Sequence, residues 1–453
     1  MRYIFPVLFT LLFIGCSLKE SKDILIKVDD NVSCKEKTQK NILKDTRIYD
    51  LENIPQDVAF FAKTINSENI IYDIQKRYED DYFSVWNTDT PPESLESAKW
   101  PFATFCAGES YGENLQLLKE SFFENMLRNA NFEEYASLNI KGIVLKETDI
   151  RAFPTDRPLL KDPSLAGEGF PFDYLQNSSV HANKPIFVSH YSKDREWAFI
   201  FSSFAFGWIK TDEFVVLDKK YTSYWQKAKQ ISIIKEGEAL YDKNGNFLFT
   251  SKIGMRFPIV SEDAVSYTVL TVSSYKNRKP LFLTSKISKE TATEDILKLD
   301  PENITKIVNE VSKTNYGWGG MYGQRDCSSM IRDMFAPFGI WLPRNSYRQS
   351  KIGEVISLEN MSDEEKIDTI KEKAVAFQTL LYKKGHILLY VGTYNDEIVV
   401  FHNTWGIKTK KEGFKGRVII GKAIFSSLRL GRYQEDYDEE GEILKNLISM
   451  NIL

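Results

Sequence analysis

Apolar positions change their spacing several times along this chain, and each change predicts a different element. Met330, Ile331, Met334, Phe335 and Phe338 recur at the spacing of one buried helix face. Asp326-Cys327-Ser328-Ser329 opens that helix, directly after a loop holding Gly317, Gly319, Gly320 and Gly323. These glycines allow tight bending and close backbone approach to a substrate. Downstream, residues 384–391 and 397–402 are β-rich runs that read as an antiparallel hairpin. If residues 392–396 form the loop, His386 and His402 stand opposite one another on one face; a tighter Asn395-Asp396 turn offsets the pair by three residues.

Ahead of this region the pattern divides the chain further. Residues 45–140 contain helical stretches such as the run from Asn114 to Leu127, with irregular connections at Pro91-Pro92 and Trp100-Pro101. Strand signals dominate residues 141–218, with a Lys193-Asp194 turn, and read as a small barrel. Residues 219–290 are β-rich again, with a hairpin around Asn244-Gly245. Asp300-Pro301 is an N-cap followed by proline at the first helical position, opening a helix to about Lys313 in a last region, 291–453. The segment around Arg417 reads as strand, and the acidic tail after it as helix with a solvated face.

The first residues suggest a location. Met1-Arg2-Tyr3 and an apolar run from Ile4 to Ile14 form a short secretory signal, too short to span a bilayer. Residues 1–15 are expected to be a signal peptide and 16–44 a polar, Lys-rich tether. Gly15-Cys16 resembles a bacterial lipoprotein processing site, which implies lipidation of Cys16 and a membrane anchor; an ordinary cleaved signal is the alternative. Ser17 after the cysteine suits the outer membrane of a two-membrane envelope, with the protein facing the periplasm.

Charge and cysteine content narrow the chemistry. Lys and Arg number 59 and Asp and Glu 63, so there is no basic field of the kind nucleic-acid binding requires. With Cys16 lipidated and Cys327 catalytic, Cys34 and Cys106 remain, as a disulfide or as two free thiols. No Cys/His cluster has metal-ligand spacing, and His181 and His190 read as loop or strand surface residues. Cys327 at a helix N-terminus sits where the dipole favours a thiolate and where backbone N–H groups can hold an oxyanion. His386 is placed to take its proton, and His402 to orient His386, with Asn403 as the orienting group if the register slips by one.

Five ordered blocks carry a resemblance. Tyr316-Gly-Trp318-Gly-Gly, Asp326-Cys327-Ser328, Leu342-Pro343-Arg344-Asn345-Ser346, Gly385-His386 through Gly392, and Phe401-His402-Asn403 resemble the NlpC-type, papain-like cysteine peptidases of bacterial cell walls. The Gly-Trp-Ile-Lys-Thr-Asp-Glu-Phe segment ending the first barrel is similar to the closing segment of bacterial SH3-like domains. The resemblance implies a multi-domain α+β protein: a papain-like cysteine peptidase domain preceded by two small SH3-like β-barrels and a mainly helical N-terminal stabilising domain.

The same resemblance implies a Cys327, His386, His402 triad, without metal or organic cofactor, that cleaves an amide in peptidoglycan stem peptides, often between γ-D-glutamate and the following diamino acid. Tyr316, Ser328, Asn345 and Ser346 fall on its substrate-groove positions. Tyr174, in the Phe172-Asp173-Tyr174 loop of the first barrel, is a candidate roof. Relatives that recognise a free N-terminal L-alanine carry Asp where this chain has Asn345; an amide offers no ion pair to the ammonium, so intact, muramic-acid-linked stems stay open as substrates. Two rival readings are an inactive peptidoglycan-binding scaffold and a thiol amidase or acyltransferase on a related fold.

Overall fold

The computed structural model describes residues 47–65, 78–275 and 278–453. The expected signal peptide, the tether with Cys16, and Cys34 lie outside the described residues. Cys106 is a free, exposed thiol.

The N-terminal region is a set of short helices, among them Tyr49–Asn53, Val58–Ala62, Trp100–Thr104 and Glu120–Asn129. The helix expected from Asn114 starts only at Glu120. Asn114 Oδ1 accepts the Gln116 N–H at 3.1 Å, and Leu115 turns left-handed at φ 59°, so a side chain captures the backbone before a helix can. The first helices belong to the far end of the chain. Val58, Phe61 and Ala62 share one core with Met330, Phe335 and Phe401, and Gln56 exchanges hydrogen bonds with the Phe425 backbone at 2.7 and 3.1 Å.

Next come two β-modules. The first is a seven-stranded antiparallel sheet, ordered Gln176–Val180, Thr148–Arg151, Phe206–Lys210, Trp197–Phe201, Pro185–Tyr191, Ile140–Val144, Phe214–Val216. Its alternating positions bury Ile143, Phe187, Phe199 and Trp208. His190 is fully buried there rather than on the surface, 5.3 Å from the Trp208 ring, with Nε2 held 3.0 Å from the Ala130 carbonyl. The helix Lys219–Lys227, capped by Asp218, leads into the second module, a five-stranded sheet with the hairpin Ala239–Tyr241/Phe247–Thr250 around Asn244-Gly245.

The C-terminal region sets the helices Pro301–Val311 and Cys327–Phe335 against a six-stranded antiparallel sheet, ordered Glu354–Ser357, Leu447–Ile452, Thr379–Lys383, His386–Tyr394, Glu397–Lys411, Phe414–Ser427. Met330, Ile331, Met334, Phe335 and Phe338 are all fully buried, as their spacing requires. The acidic tail departs from expectation. It holds only a 3-10 turn at Glu439–Gly441 and ends in the strand Leu447–Ile452, whose hydrophobic residues complete the sheet core.

A buried charge cluster joins the β-modules to this region. Arg325 is 1% exposed and places its guanidinium 2.7 Å from Glu236 and 2.8 Å from Asp333. Asp333 also meets Arg332 at 2.7 Å and His181 at 3.3 Å, while Lys252 pairs with Glu147 at 2.6 Å. His181, expected at the surface, is buried in this junction. Arg325 stands two residues before Cys327, so the junction fixes the backbone that enters the helix Cys327–Phe335.

Candidate active site

A capping box sets the position of Cys327. Asp326 Oδ1 accepts the Ser329 N–H at 2.8 Å and Ser329 Oγ accepts the Asp326 N–H at 2.9 Å, which starts the helix with Cys327 as its first residue. Arg344 grips the cap: Nη2 donates to Asp326 Oδ2 at 2.6 Å, Nη1 to Ser328 Oγ at 2.8 Å, and Nε to Ser178 Oγ of the first β-module at 2.8 Å. The backbone N–H groups of Ile387 and Ser328 are directed at the Cys327 sulfur. Ile387 follows His386, so the histidine strand itself lies against the thiol.

His386 and His402 meet, by a route other than the five-residue loop. The turn is the two-residue Asn395-Asp396, both left-handed at φ 48° and 65°, as a type I′ hairpin needs. A bulge between Tyr390 and Gly392 adds one residue on the first strand. The resulting register, Leu389↔Phe401 and Tyr390↔Val400, makes the histidines diagonal neighbours on the same face, with His386 Nε2 2.8 Å from His402 Nδ1. Asn403 points to the opposite face and donates to the Arg325 carbonyl at 2.8 Å.

Ser426 extends this chain and determines its protons. Its hydroxyl donates to the Ser427 carbonyl at 3.0 Å, so its oxygen accepts the His402 Nε2–H at 2.9 Å. Neutral His402 then has a bare Nδ1, which accepts the His386 Nε2–H. His386 Nδ1 is left with a free lone pair, the form a base requires. Nothing in the sequence marked Ser426, because only the strand register brings it to His402.

Burial decides the resting charge state. The Cys327 thiol is pushed up to about 12 by burial and then by the Asp326 carboxylate, against the pull of the two N–H groups and Arg344. His386 is pushed down to about 3 by burial, with a smaller push from Lys383. The helix dipole contributes about 0.3–1 kcal/mol, under one pKa unit, and does not offset this. Burial thus opposes the thiolate that the helix N-terminus favours, and it holds the His386 imidazole towards its neutral form.

A groove of about 740 Å³ runs over Cys327. It is lined by Tyr316, Ser328, Asn345, Ser346 and Tyr174, all five of the expected substrate-side residues, together with Arg344 and Trp318. Asn345 also caps the short helix Ser346–Gln349 through the Arg348 N–H at 2.8 Å. Phe172 and Tyr174 stand against the Trp318 ring at 5.2 and 5.3 Å, and the Trp318 indole N–H donates to the Asp173 carbonyl at 2.9 Å. The first β-module thus roofs the groove. Gly319 and Gly320 have φ of 60° and 88°, and a Cβ on either would strike the strand Gln176–Val180. Those two glycines serve the docking of that module rather than access for substrate.

Family models match the chain in four places. The NLPC_P60 stabilising domain, N term, matches residues 5–135; the SH3 domain (SH3b1 type) 158–210; the SH3 domain of SH3b2 type 218–264; and the NlpC/P60 family 313–413. No curated protein matches significantly by sequence. Among solved structures, an NlpC/P60 endopeptidase from Photobacterium damselae subsp. piscicida is similar at 22% identity and TM-score 0.77, over 88% of this chain and 97% of that one. An NlpC/P60 family protein from Bacillus cereus is similar at 14% identity and TM-score 0.46, over 69% of this chain and 98% of its own. The chain thus carries an NlpC/P60 domain, the domain of a cell-wall peptidase, with a stabilising domain and two SH3 domains ahead of it.

Proposed function

We propose that this protein is a peptidoglycan endopeptidase that cleaves the stem peptide between γ-D-glutamate and the following diamino acid, with Cys327 as nucleophile and His386 as base. The observation that carries this reading is the hydrogen-bond chain Ser426–His402–His386, which leaves His386 Nδ1 as a free acceptor. His386 Nδ1 takes the thiol proton as Cys327 Sγ attacks the carbonyl carbon. The Cys327 N–H faces the developing oxyanion, and burial keeps the Tyr316 hydroxyl protonated and therefore a donor beside it. The imidazolium returns the proton to the leaving nitrogen, the C–N bond breaks, and a thioester remains. Water, deprotonated by His386, releases the acid and restores the thiol.

Asn345 offers no ion pair to a free ammonium, which supports stems with a blocked N-terminus as substrates. The Gly15-Cys16 site supports export and lipid anchoring at the periplasmic face of the outer membrane. Purified protein beginning after Cys16, and its Cys327→Ala variant, would be incubated with sacculi and defined muropeptides and the products weighed by mass spectrometry. New termini at the γ-D-glutamyl bond, absent with the variant, are expected. Binding to sacculi without cleavage would instead favour a scaffold, and a new acyl linkage a transferase.

A further inference from the structure

His386 faces a second cavity. Past Tyr316 and Gly385, which border both spaces, lies a chamber of about 250 Å³ whose wall includes His386 but not Cys327. Its charge is one-sided: Lys383, Lys384, Lys408 and Arg417 line it against a single carboxylate, Asp438. Among the described residues none of these four cations makes an ion pair. Lys383 pairs with His386 across a strand turn and is driven down to about 8 by burial, then by the charges of Lys408 and Arg417. Burial also lowers Arg417, with Glu168 and Asp438 acting the other way. Small residues make room for the cations: a Cβ on Gly167 would sit 3.2 Å from the Arg417 guanidinium, and one on Gly441 2.6 Å from Cδ of Lys408.

Lys383 and Arg417 are half-buried and Lys384 and Lys408 exposed around this space, an arrangement of like charges that suits an anionic group. The reaction says which half of the substrate reaches it. Cys327 holds the acyl half in the large groove, whereas His386 must hand its proton to the departing amine, so the amine half lies where His386 faces.

We infer that this chamber is the leaving-group subsite and that Lys383, Lys408 and Arg417 bind a carboxylate of the departing amino component. The inference rests on the peptidase reading for its orientation. The carboxylate comes from the second carboxyl of a diamino diacid such as meso-diaminopimelate, or from the C-terminus of the stem. Bound beside Lys383, it offsets that cation's field at His386 and so favours the imidazolium at the step that protonates the amine.

Calorimetry with the product dipeptides tests the subsite without any cleavage. Protein beginning after Cys16 would be titrated with meso-diaminopimelyl-D-alanine, with the same dipeptide amidated at its side-chain carboxyl, with its C-terminal amide, and with L-lysyl-D-alanine. Loss of a charge-assisted contact predicts about 10- to 100-fold weaker binding for whichever form lacks the recognised carboxylate. Arg417→Gln, and independently the exposed Lys408→Gln, should collapse that discrimination towards unity while thermal midpoints stay unchanged. Equal binding of all four dipeptides, or discrimination that survives both substitutions, overturns the inference. A parallel cleavage assay keeps the two claims apart. Selective binding with no stem cleavage defeats the peptidase and spares the anion site, whereas cleavage indifferent to the leaving carboxylate defeats the subsite and spares the peptidase.

Discussion

His386 Nε2 lies 2.8 Å from His402 Nδ1 because the strand that carries His386 has one extra residue in its ladder. A two-residue turn alone pairs His386 with position 405 and sends the two imidazoles to opposite faces. The bulge between Tyr390 and Gly392 shifts the sum of paired positions from 791 to 790 (390 + 400) and returns both rings to one face.

The direction of the protons in this chain depends on Ser426. Ser426→Ala leaves His402 Nε2 buried without an acceptor, and His402 can then move its proton to Nδ1, which competes with the His386 Nε2–H. A fall in kcat of about 10-fold with KM little changed is expected, since the effect lies in base orientation rather than binding. NMR of the ring nitrogens should show the change of His402 tautomer. A KM-only effect, or an unchanged tautomer, would falsify the relay.

The pH profile follows from burial. The proposed base, His386, acts only when neutral, and burial, with a smaller push from Lys383, lowers it to about 3, far below the usual histidine range. The acid limb of kcat/KM is therefore expected below about pH 5 rather than near 6.5. Removing the neighbouring cation with Lys383→Met should raise that limb, by up to about 1 unit. Stability follows the same sign: the unfolded chain takes up the proton below about 6.5 and the folded chain does not, so the His386 contribution is present above that pH and lost on acidification towards 3. An acid limb near 6.5 in the wild-type protein would show that the site is open to water.

Residue order made the placement of Cys327 at a helix start, of the two histidines on one hairpin and of the groove residues legible, because each sits in a local pattern of glycines, caps or alternation. Two features had no such pattern. The bulge is a single added residue, Val391, at the end of an otherwise regular apolar run; its one mark in the sequence is Gly392, which also reads as the start of a loop. His181 and His190 looked superficial because each stands alone in sequence; their partners, Asp333 and the Phe199–Trp208 aromatic core, come from other elements. The burial that opposes a thiolate at Cys327 was hidden for a related reason, since the helix dipole is local while burial arises from the rest of the fold.

The Arg325 cluster should behave as one unit. Arg325→Met strands the carboxylates of Glu236 and Asp333 in a buried junction, at a cost of about 3–5 kcal/mol. A lower midpoint in chemical denaturation and earlier proteolysis between the second β-module and the peptidase region are expected. Glu236→Gln, which keeps the shape and loses one charge, should cost less. Wild-type stability in Arg325→Met would mean that the junction does not hold the domains together.

Asn345 gives a test of substrate choice that leaves the fold intact. Its Oδ1 caps the following short helix, and aspartate caps as well as asparagine, so Asn345→Asp preserves the turn. In the proposed substrate orientation the added carboxylate lines the groove on the acyl side, facing the free L-alanine ammonium. Pairing there predicts about 10-fold lower KM for stems with a free N-terminus, from a charge-assisted contact, and no gain for stems blocked by muramic acid. The ratio of kcat/KM for free and blocked stems measures this directly. If the variant gains on both substrates alike, the ammonium does not reach Asn345, and the choice between free and blocked stems has to come from elsewhere in the groove, such as Tyr174 of the roof packed on Trp318.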